Sequence, residues 1–465
     1  MKTFFRVFIA VFFVACFSGL SAQSDNVVSR LIGNDRLGKK DSVANWTIHA
    51  QITTVYQYHP AFHADYSGIN SLSNTATGAL SLTSTLFAGR KLWKGAAIYV
   101  NPEISGGQGF NGAHGVAGFP NGEIYRVGNP TPTPFIARLF IQQIIKLRRS
   151  NYDVQATDDN QLAGKIPASR VVITVGKFCL SDFFDGNNYN HDARSQFLNW
   201  SLMASGSWDF PADTRGYTSG FVVEAIKPLW AFRFSAVMVP KQANALEMDW
   251  QLNKANSETA EFEKDWSYKG HAGILRATGF ITFSRAPKFK EVIHAMQTGD
   301  TAETNFLIDI ISGQTTWDTF GGIKYGFGLN VEQDLGYGIG VFARGNWSDG
   351  HSADWAFTQI DNNVQLGMLM KGVLWKRPMD NFGLAFSTNG LGALQRQYLE
   401  LGGYGFIIGD GALNYAREII LETFYNVQLA QFLFISPDYQ FIVNPGYNKS
   451  RGPVHVPGLR VHLEF

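Results

Sequence analysis

Between Trp46 and His59 the chain reads WTIHAQITTVYQYH, and its residues sort by parity into two kinds. Trp46, Ile48, Ala50, Ile52, Tyr56 and Tyr58 form an apolar set, while His49, Gln51, Thr53, Gln57 and His59 form a polar one. A period of two is the mark of a β-strand with unlike faces. The aromatics at both ends of the apolar face match the interfacial girdles of a strand that crosses a membrane.

The pattern recurs. In PFIARLFIQQIIKL, Phe135, Ala137, Leu139, Ile141 and Ile145 oppose Arg138, Gln142 and Lys146. Trp230, Phe232, Phe234, Ala236 and Met238 oppose Arg233 and Ser235. Leu421, Tyr425 and Val427 oppose Glu418, Glu422 and Asn426; Leu433, Ile435, Tyr439, Phe441 and Val443 oppose Ser436, Asp438, Gln440 and Asn444. These runs exceed the usual sandwich strand. Together they predict an all-β fold, a transmembrane antiparallel β-barrel of about 16 strands (18 possible) with long extracellular loops.

The predicted strands start near Trp46, Leu80, Leu92, Phe135, Arg170, Phe197, Tyr217 and Trp230, then near His271, Phe320, Tyr337, Asn362, Asn381, Tyr415, Gln431 and Val454. Tight turns are expected at Arg90-Lys91, Leu335-Gly336 and Ala430. Long loops are expected over 105–134, 286–319 and 389–414. One region breaks the alternation of long and short joins: Lys227-Pro228-Leu229 is short where a loop is due, and 241–269 is long where a turn is due. Within it, NSETAEFEKDW (256–266) reads as partly helical, as does FKEVIHAM (289–296). The last residues, VHVPGLRVHLEF, alternate to the terminal Phe465, as expected of a closing strand that pairs with the first and is recognised by the barrel-assembly machinery.

The N-terminus supplies the compartment. Lys2 and Arg6, the apolar run 7–17 and the Leu20/Ala22 cleavage pattern read as a signal peptide over 1–22. A polar periplasmic segment follows over 23–45, too short for an independent plug domain, and the barrel domain spans 46–465. The 38 acidic residues nearly balance the 39 basic ones, two of which leave with the signal, so no bulk basic footprint for nucleic acid exists. Aromatic content of 14%, 48 glycines and a mean hydropathy of −0.08 suit a barrel, whose strands average polar and apolar faces. After the signal only Cys179 remains, so no intrachain disulfide is possible; it reads as an unreactive strand residue.

No HExxH, CxxC, P-loop or GxSxG motif occurs, and neither an enzymatic activity nor a cofactor is implied. The oxygen-rich stretch DFFDGNNYNHD offers Asp182, Asp185 and Asp192 as a weak calcium candidate, without EF-hand order; a polar outer loop is the plainer reading. The polar faces propose a pore lining: His49, Gln51, Gln57, Glu103, Arg138 and Gln142 in the first part, then Glu224, Arg233, Arg276, Glu332, Arg344 and Glu422. Arg and Glu present forks of donors and acceptors that match vicinal hydroxyls, and opposed charges leave little net field against a neutral solute. The same charges could instead brace the wall through cross-strand pairs.

Three stretches resemble the carbohydrate-selective porins, the OprB-type family. They are VGKFCLSDFFDGNNYNHDARSQFLNWSL (175–202), REIILETFYNVQLAQFLFISPDYQFIVNPG (417–446) and the terminal GLRVHLEF; 48–72 and 89–105 are similar to family material too. The resemblance implies a sixteen-stranded outer-membrane barrel of a Gram-negative bacterium. It also implies a loop-narrowed pore, lined by arginine and glutamate, through which mono- and small oligosaccharides diffuse passively. Saccharides and outer-membrane lipid or lipopolysaccharide are then the partners, with a homotrimer and a monomer both open. A general porin, a structural barrel and a barrel enzyme are the alternatives.

Overall fold

The computed structural model describes residues 44–124 and 130–465; the signal peptide and nearly all of the 23–45 segment lie outside them. Eighteen strands form. They are β1 (Trp46–His59), β2 (Thr77–Lys91), β3 (Ala96–Gly107), β4 (Thr133–Lys146), β5 (Tyr152–Gln155), β6 (Gly164–Pro167), β7 (Arg170–Phe178), β8 (Thr218–Lys227) and β9 (Trp230–Val237). The others are β10 (Asn256–Tyr268), β11 (His271–Ser284), β12 (Gly322–Gly336), β13 (Ile339–Ser348), β14 (Asn362–Gly372), β15 (Arg377–Gly390), β16 (Glu418–Ala430), β17 (Leu433–Val443) and β18 (Val454–Glu464). Sixteen close into one antiparallel barrel, while β5 and β6 form a separate hairpin between β4 and β7. Closure is by β18 on β1, with Ile52 opposite Leu463 and Gln57 opposite Gly458. Closure removes the sheet edge, which has no partner in lipid.

Side-chain alternation decides the two faces. On β14, Leu366 is 54% exposed and its neighbour Gln365 0%. Trp46, Trp93, Tyr268 and Tyr337 lie exposed near the turn end, and Tyr58, Tyr325 and Trp347 near the loop end, as two aromatic belts. No helix of the described residues is long and apolar enough to cross a membrane.

Three expectations are corrected. First, Phe197 starts no strand: it is fully buried inside the barrel, its ring 5.8 Å from Phe342 and 5.0 Å from Phe424. The apolar residues around it pack on the inner wall rather than face lipid. Second, 256–266 is not helical but belongs to β10, with Ser257, Thr259 and Glu261 buried on its inner face. One false strand and one missed strand cancel, so the count of sixteen stands and the break near 227–269 disappears: Lys227–Trp230 and Tyr268–His271 are ordinary turns flanking a loop over 238–255. Third, Phe135 and Ala137 do not share the lipid face. The register slips between Asn101 and Pro102, so Ile136 and Leu139, three apart, both face out, whereas Phe135 stacks 6.0 Å from the buried Tyr217.

Among the described residues four α-helices lie in the long loops: α1 (Trp200–Met203), α2 (Phe289–Thr298), α3 (Thr301–Ile311) and α4 (Ala393–Glu400). FKEVIHAM thus belongs to α2. Gly299 at φ +77° ends it, and Asp300 caps α3 by accepting from Glu303 N. Phe289, Val292, Ile310 and Tyr398 join one apolar cluster where these helices meet over the loop end.

Candidate functional site: the barrel interior

Residues 108–124 and loop 179–217 fold into the barrel and bring backbone N–H and C=O groups that the strand ladders cannot satisfy. Buried groups of that kind need partners. The inner wall supplies them. Glu422 accepts from Leu198 N at 2.5 Å and Asn199 N at 3.0 Å. Glu418 accepts from Ala117 N at 3.0 Å and Gly118 N at 2.7 Å. Arg344 donates to the carbonyls of Leu202, Asp185 and Asn190 at 2.9, 3.1 and 2.7 Å. Glu332 accepts from Asn188 N at 2.7 Å, and Gln57 donates to Pro120 O at 2.8 Å. On β18, Arg460 donates to Ala193 O at 2.7 Å and Gln196 O at 2.6 Å.

The twelve residues singled out by alternation therefore divide. Gln57, Glu332, Arg344 and Glu422 grip the inserted loops. Glu224, Arg233 and Arg276 join a charge ladder along the wall: Arg233 lies 3.0 Å from Glu224, 3.0 Å from Glu261 and 3.1 Å from Glu263, and Arg276 lies 2.8 Å from Glu263. Gln51 is buried on the inner face of β1, and Gln142 lies 3.5 Å from Thr174 Oγ1. His49 Nε2 meets Thr157 Oγ1 of the β5–β6 hairpin at 3.0 Å. Glu103 and Arg138 face loop 179–217.

Around those last two, side chains of the inserted loops converge on the wall. Arg194, from loop 179–217, sets its Nε 3.0 Å from Glu123 of loop 108–132 and its Nη2 3.8 Å from Glu103 on β3. Tyr217 donates to Glu103 at 3.2 Å, Thr85 to Glu103 at 2.7 Å and Thr83 to Glu123 at 2.6 Å. Arg138 clasps Asp182 with two bonds, at 2.7 and 2.6 Å, lies 5.3 Å from the Tyr217 ring, and leaves its Nη1 without a hydrogen-bond partner among the described residues. Against the opposing effect of burial, Glu123 and Glu103 hold the Arg194 guanidinium firmly protonated. One cation thus bridges two loops and the wall, with aromatic and carboxylate groups beside it.

Sequence periodicity could not find Arg194, Glu123 or Tyr217, because all three lie on irregular backbone. Arg194 does fall inside the family-like stretch 175–202, the one sign available. The calcium alternative does not assemble: Asp182 turns to Arg138, Asp185 to Arg344 and Asn330, and Asp192 to Ser195 and the Arg194 N–H. Among the described residues no group of three His, Cys, Asp or Glu side chains could hold a metal ion. Cys179 lies just past the end of β7 rather than in a strand, and burial pushes its thiol up to about 11.

The family model of the carbohydrate-selective porins, OprB family, matches residues 70–465. No curated protein is significantly similar in sequence. Among solved structures, the high-pH structure of Pseudomonas putida OprB is similar with a TM-score of 0.66 and 16% identity over 90% of this chain and 94% of that one. The outer membrane channel DcaP of Acinetobacter baumannii has a TM-score of 0.48 and 9% identity over 90% of this chain and 97% of that one. The OprB likeness, at that identity, speaks to the fold.

Proposed function

The chain belongs to the OprB family of carbohydrate-selective porins, and from that premise we propose that it passes mono- and small oligosaccharides passively through the constriction at Arg194, Glu103, Glu123 and Arg138. It is an outer-membrane channel of a Gram-negative bacterium and not an enzyme. The observation that carries the finer reading is the bridge from Arg194 to Glu123 and Glu103, with Tyr217 and Arg138 beside it. In this reading it sets donors, acceptors and an aromatic ring beside the path of the sugar. A sugar hydroxyl trades hydration for bonds to these groups. Opposed charges at contact distance keep the field small, so a neutral solute meets little barrier. The hydrogen bonds must be weak and multiple, since a site that holds its sugar does not conduct it.

Of the residues read from alternation, Arg138 and Glu103 line this passage in our reading. Arg233 and Arg276 line the wall beside it, and Glu332, Arg344 and Glu422 act through the loops they hold. Outer-membrane lipid and lipopolysaccharide surround the barrel, and the assembly machinery meets its C-terminal strand. Single-channel conductance in a planar bilayer, titrated with glucose, maltose and longer glucans, tests the reading. Saturable sugar block of discrete openings is expected; openings indifferent to sugar overturn sugar preference in favour of a general porin.

A further inference from the structure

The barrel has seven joins at its turn end, and six are tight. The seventh, 147–169, carries the β5–β6 hairpin, and this hairpin does not hang free below the barrel. Its tip is bonded to the inner wall. Thr157 Oγ1 lies 3.0 Å from His49 Nε2 and 2.8 Å from Thr47 Oγ1, both inward-facing on β1. Asn160 and Asn101 exchange two amide hydrogen bonds, at 2.8 and 3.1 Å, the latter residue fully buried on the inner face of β3. Leu162 packs against the cluster containing Tyr99 and Phe140. Asn160 adopts φ +52°, a left-handed conformation asparagine tolerates, which lets the turn close with its amide aimed at Asn101.

The position of the anchor matters more than its existence. Asn101 and Glu103 occupy successive inward positions on β3, roughly 7 Å apart along the strand. Glu103 is the wall residue of the constriction. The hairpin tip therefore ends one inward step below Glu103 and its contacts to Arg194 and Tyr217. Its exposed Asp159 lies within electrostatic reach of Arg194 and Asp192, which descend from the loop end. A segment entering from the turn end and a loop entering from the opposite end thus meet inside the same barrel.

We propose that the 147–169 hairpin is a second size-selecting element, a fixed floor beneath the constriction that a saccharide must pass on its way out. The inference rests on the sugar-channel reading above and adds a determinant of substrate length. A monosaccharide clears the constriction and turns past the tip. A longer glucan, still threaded through the constriction, meets the tip before its trailing end is free. The polar tip, with Asp158, Asp159 and Gln161, offers the leading sugar hydrogen bonds.

The experiment replaces 150–168 with a short glycine-containing turn. It compares potassium chloride conductance, and liposome swelling by glucose and maltotriose, with the wild-type chain, after heat-modifiable gel migration has verified folding. Removal of the floor is expected to raise conductance roughly twofold and to raise the maltotriose rate relative to glucose by a larger factor. A folded, shortened barrel with unchanged conductance and unchanged sugar ratio overturns the floor. Should the shortened chain not fold, Asp159→Trp carries the test at an exposed tip position: lowered conductance supports the floor and unchanged conductance overturns it. An Asn101→Cys/Asn160→Cys pair, oxidised, should leave wild-type selectivity, because the floor is already docked. Altered selectivity in that locked form overturns a fixed floor. If wild-type protein admits no sugar at all, the sugar-channel reading fails, a result separate from any change in salt conductance.

Discussion

Arg194 and Glu123 reach each other from two different inserted loops, 3.0 Å apart, and Glu103 on the wall lies 3.8 Å from Nη2 of the same guanidinium. Among the described residues neither loop has a regular strand or long helix to fix its path. The ion pair, and the wall groups that hold each loop, fix it instead. A charge bridge placed there locks the loops against each other, and in the proposed channel it also presents donors and acceptors to the solute.

Replacing Arg194 with Ala should therefore change both geometry and charge. Glu103 and Glu123 then face the passage without their cation, so cation selectivity rises and sugar block weakens several-fold. Reversal potential in a salt gradient and sugar-titrated conductance measure the two effects. Unaltered values in both would remove Arg194 from the passage.

Arg138→Ala should reduce sugar-dependent block while folded yield survives, because Arg138 lies at the loop–wall contact and not in the barrel seam. Arg233→Ala should do less to sugar response: its guanidinium is taken up by Glu224, Glu261 and Glu263. Equal effects from the two variants would place the ladder, too, on the sugar path.

Arg344→Ala should loosen loop 179–217, since the carbonyls of Leu202, Asp185 and Asn190 lose their donor together. Each buried group left unpaired costs about 1–3 kcal/mol. Trypsin cleavage after Arg194 in the folded barrel is the readout, faster in the variant than in wild type. Equal protection would mean that the apolar seat of Phe197 on Phe342 and Phe424 holds the loop by itself.

The hairpin should respond to pH. Crowding in the barrel mouth, together with Asp158 on its own turn and Glu464 on β18, pushes the Asp159 carboxyl up to about 6; Arg194 acts against this and Asp192 with it. A carboxyl whose folded value is raised favours the docked state when protonated. This one contribution is fully present below the ordinary aspartate value and is lost as pH rises from there to about 6, while the bonds to Thr47, His49 and Asn101 keep the tip docked. With the tip docked throughout, potassium conductance should be lower at pH 4 than at pH 7, because the protonated Asp159 no longer offers its negative charge to the passage. Asp159→Asn should flatten the profile, which separates Asp159 from His49, the titratable wall residue bonded to Thr157. A profile identical in the variant would assign the pH response elsewhere.

Phe465 exchanges two backbone hydrogen bonds with Ala50, at 3.1 and 2.8 Å, and stacks 5.6 Å from Phe432. Its deletion should lower the heat-modifiable, folded fraction in the outer membrane. Normal folded levels would show that the β1–β18 ladder closes without it.

The sequence by itself determined the barrel and fifteen of its sixteen strands, the count holding because the false strand at Phe197 stood in for the missed β10. A strand in lipid obeys one local rule, that every second side chain meets hydrocarbon, and that rule is written residue by residue. Where the rule slipped, the cause was not local. β10 read as helical because Glu261 and Glu263 make sense inside a wall only beside Arg233 and Arg276 from neighbouring strands. β4 shifted phase because a bulge lies in its ladder with β3. The tertiary structure alone decided which loops turn inward, which wall charges hold them, and that the 147–169 turn folds up into the barrel. Those outcomes depend on buried N–H, C=O and guanidinium groups finding partners a hundred or more residues away, as Arg344 finds Asn190 and Glu422 finds Leu198. No period along the chain encodes such a pairing.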